Sequence, residues 1–206
     1  MINFKNTSVF NFENALRGMR NPLNSWDKSD SYYDGTQYIL GTQDLQLAKN
    51  LVIGGAEHRK FLRQIFVSVD ITAPLYWWKQ FDTYKVGTVA NSCSTMHKIH
   101  SKEFIFDDFS YEDLSNGGIE LLNEIIITLN IARKFYIEKK NKKYWFDLIK
   151  LLPESYNQKR TITMNYENVL NMCAQRKGHK LKEWEGFREW AKTLPYSKEL
   201  IFLKES

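Results

Sequence analysis

Residues 65–74 read Ile65-Phe66-Val67-Ser68-Val69-Asp70-Ile71-Thr72-Ala73-Pro74. Ile65, Val67, Val69 and Ile71 alternate with Ser68, Asp70 and Thr72, the two-residue period of a strand with one apolar face. Pro74 has no N–H to lose and suits the first turn of a helix. The residues after it, Leu75, Trp77, Trp78 and Phe81, supply an aromatic face for such a helix. A half-buried strand entering an aromatic helix predicts a sheet covered by helices.

Toward the N-terminus, Leu45, Leu47, Ala48, Leu51 and Val52 recur at helical spacing, and Gly54-Gly55 is a plausible stop. Residues 1–40 are rich in Asn, Asp, Ser and Tyr with few periodic apolar positions, and they read as a long loop. Toward the C-terminus, residues 83–97 are polar and irregular. Residues 119–137 follow, and Leu122, Ile125, Ile126, Leu129, Ala132, Phe135 and Tyr136 give them the broad apolar face of a buried helix. A second helix over 144–152 is ended by Pro153. Residues 160–164 read as a short strand, Asn165 as the cap of a helix carrying Val169, Leu170 and Met172, and Trp184, Phe187, Trp190 and Ala191 as a last helix. The sum is an α+β domain dominated by helices. No repeat or linker interrupts it, so one domain is expected over residues 1–206.

A chain of 206 residues buries roughly 70% of its unfolded surface, so neither disulfides nor metal are needed for stability. Its composition, 43% hydrophobic and 26% charged, is that of a globular protein, and no apolar run approaches membrane-spanning length. Aromatics are high at 15%, which suits a thick core, a stacking surface or large interfaces. The net charge of +5 suits an anionic ligand such as a nucleotide, and equally plain solubility. The Lys139, Lys140, Lys142, Lys143 run reads as a solvated helix end, so no nucleic-acid partner is expected. Cys93 and Cys173 show no paired spacing and no signal peptide is evident, which makes the cytosol the expected compartment.

Common chemical motifs are absent. Gly54-Gly55 precedes no Lys-Ser/Thr pair, and Ser92-Cys93-Ser94 has no flanking elbow glycines. His58, His97, His100 and His179 have no metal-ligand spacing, so no metal site is expected.

Several segments taken in order do resemble one family. His58 through Pro74, HRKFLRQIFVSVDITAP, is similar to the histidine loop and Ala-Pro-terminated strand of the flavin-dependent thymidylate synthases. Leu62-Arg63-Gln64 stands where that family shows Phe-Glu-His. Leu75-Tyr76-Trp77-Trp78-Lys79-Gln80-Phe81 resembles its substrate-contacting helix, with Gln80 at the Gln position. The family hallmark is Arg-His-Arg, two residues, Ser, one residue, then Asn-Glu-x-Ser-x-Arg-Tyr. Residues 83–97 follow it with one residue inserted: Asn91 and Ser94 match, while Thr83-Tyr84-Lys85, Ser92 and Met96-His97 replace the rest. Leu152-Pro153, Asn165, Asn171, Arg176 and Glu183-Trp184-Glu185 continue in the family's order, so the likeness covers about residues 45–195.

The resemblance implies a helix-rich α+β domain with an antiparallel sheet. It also implies a homotetramer, flavin adenine dinucleotide (FAD), a deoxyuridine monophosphate (dUMP) substrate, a folate methylene donor and a reduced nicotinamide. Carried over residue by residue, Arg176 and Ser94 would be catalytic. Gln80, Ser92, Ser94, Thr95 and Arg176 would bind the nucleotide. His58, Lys85, Asn91, Asn165 and Asn171 would bind the cofactor. Each has a plainer reading: Arg176 complements a helix C-terminus, Asn165 caps a helix and Ser94 closes a turn.

The hallmark arginine that would hold the nucleotide phosphate is Met96 here, only Lys150 stands near the second expected one, and Lys85 alone remains of Arg-His-Arg. Lys cannot reproduce the paired donors of an Arg fork. Two functions are therefore expected. One is a divergent flavoenzyme acting on a pyrimidine nucleotide, with dUMP methylation impaired. The other is a non-catalytic nucleotide binder on the same scaffold, of the sequestering kind a phage or other virus would encode. A protein-interaction module is a third class. Arg17 and Arg20 could replace the missing phosphate clamp, or simply make surface salt contacts.

Overall fold

The computed structural model describes residues 2–204. In chain order the elements are β1 (Asn3–Phe10), α1 (Phe12–Met19), β2 (Tyr32–Tyr33), β3 (Tyr38–Ile39), α2 (Thr42–Ile53), β4 (Phe66–Pro74), α3 (Leu75–Phe81), β5 (Val89–Ser92), α4 (Asn116–Lys139), α5 (Lys142–Lys150), β6 (Asn157–Asn165), α6 (Tyr166–Gln175), α7 (Lys182–Lys192) and α8 (Ser197–Leu200). The principal sheet has strand order β1-β4-β6-β5, and β2 and β3 pair separately. Side chains across the strands show the antiparallel sense. Thr161 Oγ1 donates to Asp70 Oδ1 at 2.6 Å and Thr163 Oγ1 to Ser68 Oγ at 3.3 Å, so numbers rise on one strand as they fall on the other. The chain is thus helix-rich α+β with an antiparallel sheet, and no helix among the described residues is long and apolar enough to cross a membrane.

Contacts divide the chain into two compact units. One holds residues 71–83 and 91–160. Its core joins Ile99, Phe104, Phe109 and Leu148 to one stripe of α4, Leu122, Ile126, Leu129 and Ala132. On α3, Trp77, Trp78 and Phe81 are buried, and Trp78 Nε1 donates to the Gln158 carbonyl at 2.9 Å. These aromatics are core. The broad buried face expected of α4 is corrected in width: Leu122, Ile126, Leu129 and Ala132 are buried, whereas Ile125, Phe135 and Tyr136 are only half-buried. The apolar residues outside that face, Leu121, Ile127, Ile131 and Ile137, are exposed. The helix packs along one stripe, so apolar composition overstates its burial.

The other unit holds residues 4–70, 84–90 and 161–206, described as far as residue 204. Burial along β4 follows its alternation, with Val67 and Val69 at 0% and 1% exposure. The loop reading of residues 1–40 is corrected by β1 and α1. Phe12, Ala15, Leu16 and Met19 recur at helical spacing and are all buried. Beyond α1 the chain is pinned by a buried carboxylate. Asp44, 0% exposed, accepts from Arg20 Nε at 2.5 Å, Ser29 Oγ at 2.7 Å, and Ser31 N and Oγ at 3.1 and 2.6 Å. Arg20 also donates to the Ser25 carbonyl at 3.1 Å, and Arg17 donates to Asn14 Oδ1 at 2.8 Å. Arg20 is therefore committed inside the fold, where a charge must be paired, and cannot form half of a phosphate clamp.

Candidate functional site

In the unit of residues 71–83 and 91–160, a cleft of about 560 Å³ is lined by Cys93, Ser94, Thr95, Lys98, Lys102 and Lys159, among others. β5 leads into it, and the Cys93 N–H donates to the Lys159 carbonyl on β6 at 2.9 Å. Ser94 Oγ accepts the N–H groups of Met96 at 3.1 Å and His97 at 2.9 Å. The plain reading, a closed turn, is thus correct. It has a chemical consequence: a hydroxyl has two acceptor positions and one proton, so Ser94 is left with a donor. A donor among lysines is suited to an anion.

Lys102 pairs with Asp108, whose Oδ2 also accepts the Ile105 N–H at 3.1 Å. Burial pushes the pKa of Tyr156, another lining residue, up to about 12, with the charges of Asp108 and Cys93 adding to it, so the phenol keeps its proton at neutral pH. Asn91 and Ser92 are exposed on β5, and Gln80 is half-buried on α3; none of the three lines the cleft. Met96, at the lost arginine's position, is 48% exposed. Lys98, Lys102 and Lys159 were missed in the sequence. The first two lie close after Ser94 in a turn-rich segment that carries no period to mark them, and Lys159 arrives only through strand pairing.

In the other unit, Arg176 follows α6 and sits between two aromatic rings. Its guanidinium carbon lies 5.5 Å from the Tyr84 ring centre and 4.9 Å from that of Trp184. Arg176 Nε donates to the Tyr84 hydroxyl at 3.0 Å, and that hydroxyl donates to Gln175 Oε1 at 3.1 Å. Its terminal nitrogens have no hydrogen-bond partner among the described residues.

Asn165 caps α6. Its side chain accepts the Asn168 N–H at 2.9 Å, and Asn168 returns a bond to the Asn165 N–H at 3.1 Å. Gly87, at φ +77°, closes over this cap: a Cβ there would lie 2.9 Å from Asn165 Nδ2. Asn168 Nδ2 donates to the Val86 carbonyl at 2.7 Å. Asn171 Oδ1 accepts from Arg59 Nη2 at 3.2 Å, and Arg59 and Arg63 both bind Glu167. Lys85 and His58 are exposed, and His58 borders a separate cavity of about 570 Å³ beside Met19, Leu47 and Phe61. Among the described residues no group of three or more His, Cys, Asp or Glu could hold a metal ion.

Neither a protein-family model nor a curated protein matches the sequence. Solved structures do match in three dimensions. The flavin-dependent thymidylate synthase ThyX from Helicobacter pylori, complexed with FAD and dUMP, is 17% identical, with 97% of each chain covered and a TM-score of 0.68. A second structure of that enzyme with FAD and dUMP is 16% identical, covers 98% of this chain and 97% of the other, and has a TM-score of 0.72. The UMP/dUMP methylase PolB from Streptomyces cacaoi, bound with 5-Br dUMP, is 12% identical, covers 98% and 94%, and has a TM-score of 0.60. With this strand order, this helix content and near-complete coverage of those structures, the chain has the fold of the flavin-dependent thymidylate synthases.

Proposed function

We propose that the chain binds a pyrimidine mononucleotide, holding its phosphate in the cleft at Ser94, Thr95, Lys98, Lys102 and Lys159. One observation carries this reading. Ser94, whose acceptor positions are filled by two backbone N–H groups, keeps only a proton to offer, and it does so in a cleft that three lysines line. The solved structures of this fold that hold dUMP or 5-Br dUMP support the choice of ligand. Lysines act as point charges rather than as forks, so binding depends on salt more than on geometry. The replacements Thr83, Tyr84 and Met96 remove preorganised cations, usually the largest catalytic contribution, and Lys85 keeps a charge without the Arg fork, so the reading stops at binding without dUMP methylation.

A second reading adds FAD, which would supply a hydride-transfer centre. The residues fit it in part. Lys85 and His58 are exposed donors for a pyrophosphate, but the Asn165 amide is committed to the α6 cap beneath Gly87, and Asn171 to Arg59. A homo-oligomer belongs to the same proposal, and the exposed Leu121, Ile127 and Ile131 of α4 suit one.

Cys93 provides the test. It is exposed on the cleft lining, whereas Cys173 is buried. Alkylation of Cys93 by iodoacetamide should slow severalfold in millimolar dUMP and recover when salt is raised. A labelling rate indifferent to nucleotide would refute the proposal. A visible flavin spectrum in the purified protein would establish the second reading.

A further inference from the structure

The same cleft contains acceptors that a phosphate cannot satisfy. Asn157, at the start of β6, lines it, and the Asn157 Oδ1 atom is buried with no hydrogen-bond partner among the described residues. Its Nδ2 donates to the Asp107 carbonyl at 3.4 Å, which sets the two residues side by side. The Asp107 carboxylate also lines the cleft, and among the described residues it makes neither an ion pair nor a hydrogen bond. Asp108, in contrast, is taken by Lys102 and the Ile105 N–H. An orphaned buried acceptor is costly unless a ligand or water completes it. The cleft therefore offers cations and hydroxyls for an anion, and beside them one buried acceptor that lacks a donor and one exposed carboxylate able to accept.

A sugar phosphate presents this combination. Ribose offers two neighbouring hydroxyl donors, the 2′ and the 3′, and 2′-deoxyribose offers one. Resting on the nucleotide reading above, we infer that the cleft prefers a ribonucleoside monophosphate to its deoxy counterpart, with Asn157 Oδ1 and the Asp107 carboxylate receiving the two sugar hydroxyls. Asn157 and Asp107 are then specificity-determining residues.

The experiment titrates protection of Cys93 from iodoacetamide with UMP and with dUMP. UMP should reach half-protection at about one-tenth the concentration of dUMP, the worth of one added hydrogen bond to a carboxylate or a buried acceptor. Asp107→Ala, a change at an exposed position that leaves the core untouched, should draw the ratio toward one, and Asn157→Ala should do the same. A purely structural role for either residue would move both half-protection points together and leave the ratio intact. Equal protection by UMP and dUMP in the unaltered protein overturns this inference and leaves nucleotide binding standing. Protection by neither overturns both, and a ratio that survives both substitutions removes the assignment to these residues.

Discussion

Replacing Asp44 by asparagine preserves the size of the side chain and removes one buried charge. Asp44 is fully buried and Arg20 is 3% exposed, so the Asp44→Asn variant would leave a guanidinium inside the fold without its counter-ion. The new amide would also oppose the Ser29 and Ser31 donors now aimed at Oδ2. Breaking a buried pair from one side costs about 3–5 kcal/mol. That is a large share of the roughly 5–15 kcal/mol that holds a domain together, and at about 2–4 °C per kcal/mol it lowers the melting temperature by roughly 6–20 °C.

Acid adds a second signature. Burial favours the neutral carboxyl, but the bonds from Ser31, Ser29 and Arg20 and the Arg20 charge outweigh it and hold the pKa of Asp44 below the ordinary value. A depressed folded-state pKa contributes stability that is complete above the unfolded value of about 3.9 and is lost as pH falls through the folded value. Urea unfolding of both proteins between pH 7 and pH 3 measures this. The gap should be widest at neutral pH and narrow in acid, because protonation deprives the wild-type protein of the same charge. A variant within about 1 kcal/mol of wild type at pH 7 would refute the account of the N-terminal segment as pinned by Asp44. In the double variant Arg20→Met, Asp44→Leu, where no charge is stranded, much of the loss should be recovered.

Asn165→Ala removes the side-chain cap of α6 and should lower unfolding stability by about 0.5–2 kcal/mol in urea. No loss would mean that the Asn168 bond is incidental. Tyr84→Phe keeps the ring beside Arg176 and deletes the hydroxyl that receives Nε. Proton exchange at Arg176 Nε, followed by NMR, should accelerate clearly while stability falls by no more than about 1–1.5 kcal/mol; unchanged exchange would show that the rings alone hold the guanidinium.

How much of this could be read from the chain depended on how near the determining residues lie to one another. The alternation of residues 65–72 marked β4, and Gly54 stands as expected at the end of α2. Asn165 begins α6 as its position before an apolar period suggested. The ordered likeness from His58 to Glu185 led to the right fold although no single motif in it is specific. α1 was legible too, since Phe12, Ala15, Leu16 and Met19 keep a helical period, but the polar residues around it hid that stripe. β1 carried no comparable signal, because six of its eight positions are exposed.

By itself, then, the sequence determined the elements whose period or cap is local, β4, α2 and α6 among them, because periodicity and capping act over a few residues, and its ordered likeness led to the fold class. It did not determine how individual polar groups are used. Arg20 looked like a free cation until the fold set Asp44, 24 positions away, against it. Ser94 and Lys159, 65 positions apart by number, share a cleft because the Cys93 N–H is bonded to the Lys159 carbonyl on β6. The tertiary structure decided those pairings, because a charge or hydroxyl takes its role from whatever folding brings within about 3 Å of it, and that neighbour is seldom near in sequence.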